Sequence, residues 1–512
     1  MTASTPNRRP ALGHSVAFAA LFLLLALLAM TRPIDHDESQ YVAAAVLTGE
    51  GLLPYRDYAY LQTPLQPLVF GWLAKALGVY AYPGLRLVNA MLGALAVFFV
   101  YRAARAGGVS LRAALIAAGL FATTDILLFG TGIARNDALP VALLAGALWL
   151  IVAGEGRPRT PAAAFGAGLL LAAAAAAKAS YALPAAVYGA WTLLDRDHRP
   201  LWVAAGAALP CALVLWLASL APEAFWFGAF TFPADAPQQY YASGGRAYKL
   251  KLAFRLIDLA KFLALGAALP ALVLVATRVF RQQGERERID WMLDLMIAAG
   301  LLSAVLPEPT WRQYLLPMLP PLFVRLARAC RGQAVPRWQS GVFAVFALAG
   351  LAPTMIAFGR AAIEGNPMVR VVDEGRAIDR ALDAAGVQGP VASIAPQLLP
   401  AAGRLPDKRF AAGPFYFRSR ALISEAEEQR FHLMSADRLR ASDLPQAVLI
   451  GGEAAWSGGE AKLDQAIERI AALRSARQVA VEGGRLRLLL LGPGPRARLQ
   501  AAARPRFASS SE

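Results

Sequence analysis

Residues 17–30 read AFAALFLLLALLAM, and after Thr31-Arg32-Pro33 the chain continues Ile34-Asp35-His36-Asp37-Glu38-Ser39-Gln40-Tyr41. The first stretch carries no charge and has the character of a helix in hydrocarbon. The second sets three carboxylates within four residues, directly beyond it. Two more runs, Ala90–Val100 and Ala138–Ala153, are also free of charge. Of 512 residues 57% are apolar and 17% charged, and the mean hydropathy is +0.43. This apolar share exceeds that of an ordinary soluble chain and argues against a purely cytosolic enzyme. The two cysteines, Cys211 in an apolar stretch and Cys330 between arginines, cannot build a disulfide framework or a cysteine-rich metal site.

Apolar runs long enough to cross a bilayer predict spans near 14–31, 84–101, 113–129, 138–153, 161–177, 182–194, 201–219, 256–277, 291–306, 314–329 and 339–358, about eleven in all. With the N-terminus in the cytoplasm, the inner segments hold 17 of the 29 Lys and Arg before residue 359, and eleven of the 18 acids fall on the other side. That is the positive-inside pattern. A cleaved signal peptide is the competing account of residues 1–31, but no small-x-small site precedes Thr31-Arg32. The odd number of crossings places everything after about residue 359 outside, in a bacterium the periplasm. The formal charge of +16 is spent on topology rather than on one continuous groove, so nucleic acid is not expected as a partner.

Three divisions follow. Residues 1–358 form the transmembrane domain, with a long first outer loop at 32–83 and an aromatic outer loop at 220–250. Residues 359–492 form a small periplasmic α/β domain, with helical patterning at 372–386, 423–440 and 460–475 and strands at 391–395, 447–450, 478–481 and 486–491. Residues 493–512 read as a disordered basic tail. Gly451-Gly452 and Gly483-Gly484 read as turns rather than phosphate loops.

Charges at the outer interface are the first candidates for function, because solvation and the charge rule both oppose them there. In the first loop the plainer account is a helix start, with Asp35 as N-cap, Glu38 as its capping-box partner and Asp37 favourable toward the dipole. The functional account makes Asp37 a general base or substrate orienter. Asp137, after Arg135-Asn136, is a second acid at the mouth of a span; its plainer account is a capped helix start paired with Arg135. Lys178 could equally snorkel. Arg86 opens the second span and Arg312 stands beside Tyr314. Acids for a hydroxyl and cations for a phosphate suit transfer from a lipid phosphate. The loop 220–250 is rich in Phe, Trp and Tyr, as an interfacial belt or as a mobile cover over a substrate.

In this order the motifs resemble the C-class (GT-C) integral membrane glycosyltransferases that use polyprenyl-phosphate sugars, in particular bacterial aminoarabinose transferases and protein O-mannosyltransferases. The likeness covers about 340 residues and rests on several motifs. These are His36-Asp37-Glu38-x-x-Tyr41, Thr63-Pro64-Leu65 before an amphipathic stretch to Gly78, Arg86-Leu87, Asp137, Lys178 and Tyr314-Leu315-Leu316-Pro317-x-x-Pro320. The chain departs from the family pattern at Leu65, where a second proline is usual, and at Ala179-Ser180, where a glycine is common. The resemblance implies a helical polytopic membrane fold with Asp37 as catalytic carboxylate, Glu38 beside it and Asp137 as the second-loop acid. Tyr41, Arg86, Arg135, Lys178, Arg312 and Tyr314 are the expected substrate contacts. Metal use varies within such enzymes, and no ligand cluster in the sequence requires a divalent ion. The function expected is inverting transfer of a sugar from undecaprenyl phosphate to a lipid, glycan or protein acceptor at the periplasmic face of the inner membrane. A lipid-linked sugar flippase and a non-catalytic lipid-glycan scaffold are the alternatives.

Overall fold

The computed structural model describes residues 9–281, 286–332, 335–419, 422–453, 461–481 and 485–492. The basic tail expected over 493–512 and the turn at Gly483-Gly484 lie outside the described residues. The chain folds as two compact units. The first comprises Met1–Pro33, Leu61–Phe70 and Pro83–Met368; the second comprises Ile34–Tyr60, Gly71–Tyr82 and Val369–Glu512. Most of the first long loop therefore belongs with the C-terminal α/β unit.

In the first unit each predicted apolar run carries helix. The first run is α1 (Arg9–Thr31). After α2 (Glu38–Gly49) and α3 (Leu65–Leu77), described below, the second run is α4 (Ala81–Ala106). The third run is two helices, α5 (Leu111–Ala122) and α6 (Asp125–Thr131), meeting at a 65° bend. α7 (Ala138–Ala153), α8 (Pro161–Ala177), α9 (Ala182–Leu194) and α10 (Pro200–Leu220) follow the hydropathy closely. The aromatic loop is helical too, through α11 (Pro222–Trp226) and α12 (Phe232–Ser243). The run at 256–277 is likewise broken, into α13 (Leu252–Ala264) and α14 (Ala268–Arg281) at a 99° bend. α15 (Arg288–Val305), a 3-10 turn Arg312–Met318 leading into α16 (Leu319–Ala329), and α17 (Arg337–Glu364) complete the unit. Among the described residues three helices are long and apolar enough to cross a membrane alone, or five when each bent pair counts as one span.

The two breaks answer each other. A helix interrupted within hydrocarbon must find partners inside the protein for its freed backbone groups. The Asp125 N–H donates to the Leu265 carbonyl at 3.0 Å, and the Thr124 hydroxyl donates to the Phe121 carbonyl at 2.9 Å. Gly266 sits at φ +131°, where a Cβ would come within 2.7 Å of Thr124 Cα. α8 and α10 also cross through glycines: a Cβ at Gly168 would lie 2.0 Å from the Val203 carbonyl oxygen, and one at Gly206 would lie 2.0 Å from that of Phe165. Small residues allow such close backbone approach where lipid offers no hydrophobic drive for helix association. Next to the α16–α17 connection, buried Arg328 bonds Glu155 and Asp290 and pairs with Glu287, tying α15, α16 and the α7–α8 turn together.

The second unit contains α2 and the end of α3, which meet where Gly71 approaches Thr48 and Gly49. After α18 (Pro367–Ala384) comes a four-stranded sheet of β1 (Val391–Ala392), β2 (Ala447–Ile450), β3 (Arg477–Ala480) and β4 (Arg487–Leu490), in the order β1-β2-β4-β3. β1 runs parallel to β2, while β4 is antiparallel to both its neighbours. β2 is buried along its whole length, as a central strand covered on both faces must be. The helical patterning at 423–440 shrinks to Glu425–Arg430. A capping box between Ser424 and Glu427 starts that helix, and it gives way before His432, which adopts φ +56°.

Candidate active site

In the second unit, the sequence after α1 turns directly into α2. The helix begins at Glu38 with Asp37, not Asp35, as its N-cap residue. Half of the expected capping box is present: Glu38 Oε2 accepts the Asp35 N–H at 3.0 Å. The other half is replaced by a local turn in which Asp35 Oδ1 accepts the Asp37 N–H at 2.9 Å. Glu38 is fully buried and also accepts the Tyr82 hydroxyl at 2.6 Å. Its role in the structure is to hold the turn. The Asp37 carboxylate makes no cap bond; it faces His36 Nε2 at 3.1 Å, with its side chain 20% exposed. The Phe415 ring lies 6.2 Å from the His36 ring, and the Arg418 guanidinium lies over Phe415 at 5.2 Å. Tyr41 is buried one turn into α2 and packs edge-on to Tyr60.

Asp35, His36 and Asp37 each offer one ligand atom, and these atoms all lie within 4.8 Å of one another. Two carboxylate oxygens and an imidazole nitrogen suit a divalent cation chemically. Their convergence depends on the local turn, which spacing alone did not reveal.

Burial opposes the charge on His36, but the field and hydrogen bond of Asp37, with Asp35 behind them, push its pKa up to about 8. A raised histidine pKa stabilises the fold fully below the unfolded value of about 6.5, and that contribution is lost as pH rises through about 8. Because the imidazole is 31% exposed, screening reduces the contribution to about 1 kcal/mol. The stability gap between the natural protein and His36→Asn, followed by thermal unfolding in detergent, is expected to be widest below pH 6.5 and to close above pH 8. A gap constant from pH 6 to pH 9 would show that His36 stays neutral.

The first unit collects the cations. Asn89 holds the loop before α7 by donating to the carbonyls of Ile133 and Arg135 at 2.6 and 2.9 Å. Asn136 ties it to the end of α8 through the Ala177 carbonyl at 3.2 Å. α8 stops there because Lys178 is extended, at φ −156° and ψ 123°. Asp137 consequently meets both cations: Arg135 Nε lies 3.1 Å from Oδ2, and the Lys178 ammonium bonds Oδ1. All three side chains are buried. Asp137 makes no capping bond, and Lys178, in contact with the Tyr314 ring at 5.7 Å, does not snorkel.

Phe129 organises the remaining charges. The guanidinium groups of Arg312, Arg32 and Arg135 lie 3.5, 5.1 and 5.6 Å from its ring centroid, within cation–π range. Arg312 also donates to Asp125 Oδ2 at 2.8 Å. Arg32, Arg135, Lys178 and Arg312 thus gather near Asp125 and Asp137. Buried polar capacity remains here: among the described residues, Asp125 Oδ1, Asn136 Oδ1 and the Tyr181 hydroxyl have no hydrogen-bond partner, as expected where a ligand or water completes the site.

Arg86 has a different place. Fully buried, it donates to the carbonyls of Ala29, Arg32 and Pro33 at 3.0, 2.6 and 3.0 Å, capping the end of α1. Asp125 and Arg32 were missed from sequence. Asp125 is a carboxylate inside an apolar span, which is itself a functional signal. Arg32 was weighed only as a flank of a cleavage site.

No family profile matches the chain, and no curated protein matches it in sequence. Among solved structures it is similar to ArnT from Cupriavidus metallidurans bound to undecaprenyl phosphate, at 15% identity and a TM-score of 0.56, covering 94% of this chain and 99% of that one. The apo state of ArnT gives 15% identity and a TM-score of 0.57, covering 95% and 100%. Likeness at this identity speaks to architecture and spans both chains nearly end to end. The protein therefore has the helical fold of ArnT, with a small C-terminal α/β unit, as the motifs from His36 to Pro320 led one to expect.

Proposed function

We propose that this protein is a glycosyltransferase that moves a sugar from a polyprenyl-phosphate donor to a lipid, glycan or protein acceptor at the periplasmic face of a bacterial inner membrane. The observation that carries this reading is the gathering of Arg32, Arg135, Lys178 and Arg312 around Asp125, Asp137 and the Phe129 ring. Such a concentration of cations, with Arg32, Arg135 and Lys178 buried, suits an anionic ligand, and the lipid-linked sugar supplies a phosphate. The ArnT structure of the same fold was solved with undecaprenyl phosphate bound.

In the reaction Asp37 takes the proton from the acceptor hydroxyl as its oxygen attacks the anomeric carbon. The bond from that carbon to the phosphate oxygen breaks, and the electron pair stays on the phosphate. Lys178, Arg135, Arg312 and Arg32 stabilise this developing charge. Asp137 is a positioning residue that fixes Arg135 and Lys178, and Glu38 and Arg86 hold the polypeptide on either side of the turn that presents Asp37. Tyr314 orients Lys178, and Tyr41 anchors α2. A divalent cation, where one binds, would be held by Asp35, His36 and Asp37 and would add Lewis-acid stabilisation of phosphate charge.

The test is reconstitution of the full chain in liposomes with a panel of undecaprenyl-phosphate sugars and a bacterial envelope extract that supplies lipid, glycan and protein acceptors, reading free undecaprenyl phosphate by mass spectrometry. Release from at least one donor is expected, and intact donors throughout the panel would overturn the proposal. One observation favours a second reading: two broken helix pairs meeting beside a buried carboxylate also suit a carrier. A carrier would move the lipid-linked sugar across the liposome membrane without releasing the lipid phosphate.

A further inference from the structure

A cavity of about 390 Å³ lies within the first unit along α5, between it and α16 and α17. Its walls are apolar: Ile116, Ala117 and Leu120 from α5, Leu326 with Cys330 just after α16, and Phe343 from α17. The volume is that of a pocket able to enclose a small apolar ligand or part of a chain. Three further observations bear on the kind of ligand it fits.

The first is depth. Trp338, in the first turn of α17, is 69% exposed, and an exposed tryptophan beside Arg337 at a helix end marks the level of lipid head groups. The second is outlook. Leu111, Leu115 and Ile116 on α5 are all at least half exposed, so this face of the helix meets lipid chains. The third is charge. Arg112 lines the cavity, is exposed, and has no ion pair or hydrogen bond among the described residues. Neither α5 nor α17 carries an acid in its first turn, so the positive ends of both helix dipoles lack an internal counter-charge. A cation at head-group depth over an apolar cavity is complementary to one class of molecule, a lipid with an anionic head.

We propose that this cavity is a binding site for an anionic diacyl phospholipid of the phosphatidylglycerol type, with part of an acyl chain between α5, α16 and α17 and the phosphate on Arg112. The site is separate from the residues assigned to sugar transfer and does not depend on that assignment.

Native mass spectrometry of the full-length protein tests it, with phosphatidylglycerol and phosphatidylethanolamine of identical chains added to the detergent-solubilised sample. The natural protein is expected to retain phosphatidylglycerol in preference to phosphatidylethanolamine. Arg112→Gln, at an exposed position, is expected to lower phosphatidylglycerol retention about 5-fold and leave phosphatidylethanolamine unchanged. Ala344→Phe, an exposed cavity-lining position, is expected to lower retention of both lipids by filling the cavity. Equal retention of the two lipids by the natural protein would overturn the proposal, as would a preference that survives Arg112→Gln. Displacement of phosphatidylglycerol by undecaprenyl phosphate, one for one, would also overturn it by assigning the cavity to a polyprenol.

Discussion

Asp37→Asn is expected to lower sugar transfer by about 10³-fold, the scale of removing a positioned general base, while leaving undecaprenyl phosphate binding unchanged. The amide keeps the volume and can still accept a hydrogen bond from His36, now 3.1 Å from the carboxylate, so α2 should still start in the same place. The helix begins without a bond from this side chain, and its turn is held by Asp35 and Glu38. The loss therefore reports on chemistry rather than on folding. Turnover of the natural protein that survives this substitution at full rate would remove Asp37 from the mechanism. No turnover from either protein, with lipid binding intact, would instead point to a scaffold.

The second large effect is at Asp137. This carboxylate is buried between Arg135 and Lys178, and neutralising it takes a counter-charge away from two buried cations. Breaking such an arrangement costs about 3–5 kcal/mol. Asp137→Asn is expected to lose that much stability in the absence of lipid and to recover a large part of it with undecaprenyl phosphate, whose phosphate replaces the lost charge. Lys178→Ala is expected to weaken undecaprenyl phosphate binding about 10-fold, the scale of one charge-assisted contact. Thermal unfolding with and without the lipid reads both. A midpoint of Asp137→Asn that the lipid raises no more than it raises the natural protein's would separate this cluster from phosphate binding. Unchanged lipid affinity in Lys178→Ala would remove that residue from the site.

Arg86 shows how a residue type can be legible while its partners are not. A buried arginine at the start of a span invites a phosphate, yet its donors meet the three carbonyls left open where α1 ends. Asp137 and Lys178 stand 41 residues apart, and nothing in either local sequence names the other. Asp125 was legible in principle, since Thr123-Thr124-Asp125 interrupts the apolar run of 113–129 where the helix bends, but its partner Arg312 stands 187 residues away.

Sequence alone determined what every residue must satisfy by itself: long uncharged runs form helices, basic loops set the expected orientation, and short apolar runs after residue 358 make strands. These properties follow from the solvent each segment needs and from local backbone preference, so they can be read one stretch at a time. Tertiary structure alone decided where the two helices break, that each break supplies the other's missing hydrogen bond, and which cations share Asp137 and Phe129. It also assigned most of the first loop to the C-terminal unit. Those choices are settled by pairing buried polar groups across hundreds of residues, an energy that exists only once the partners have been brought together.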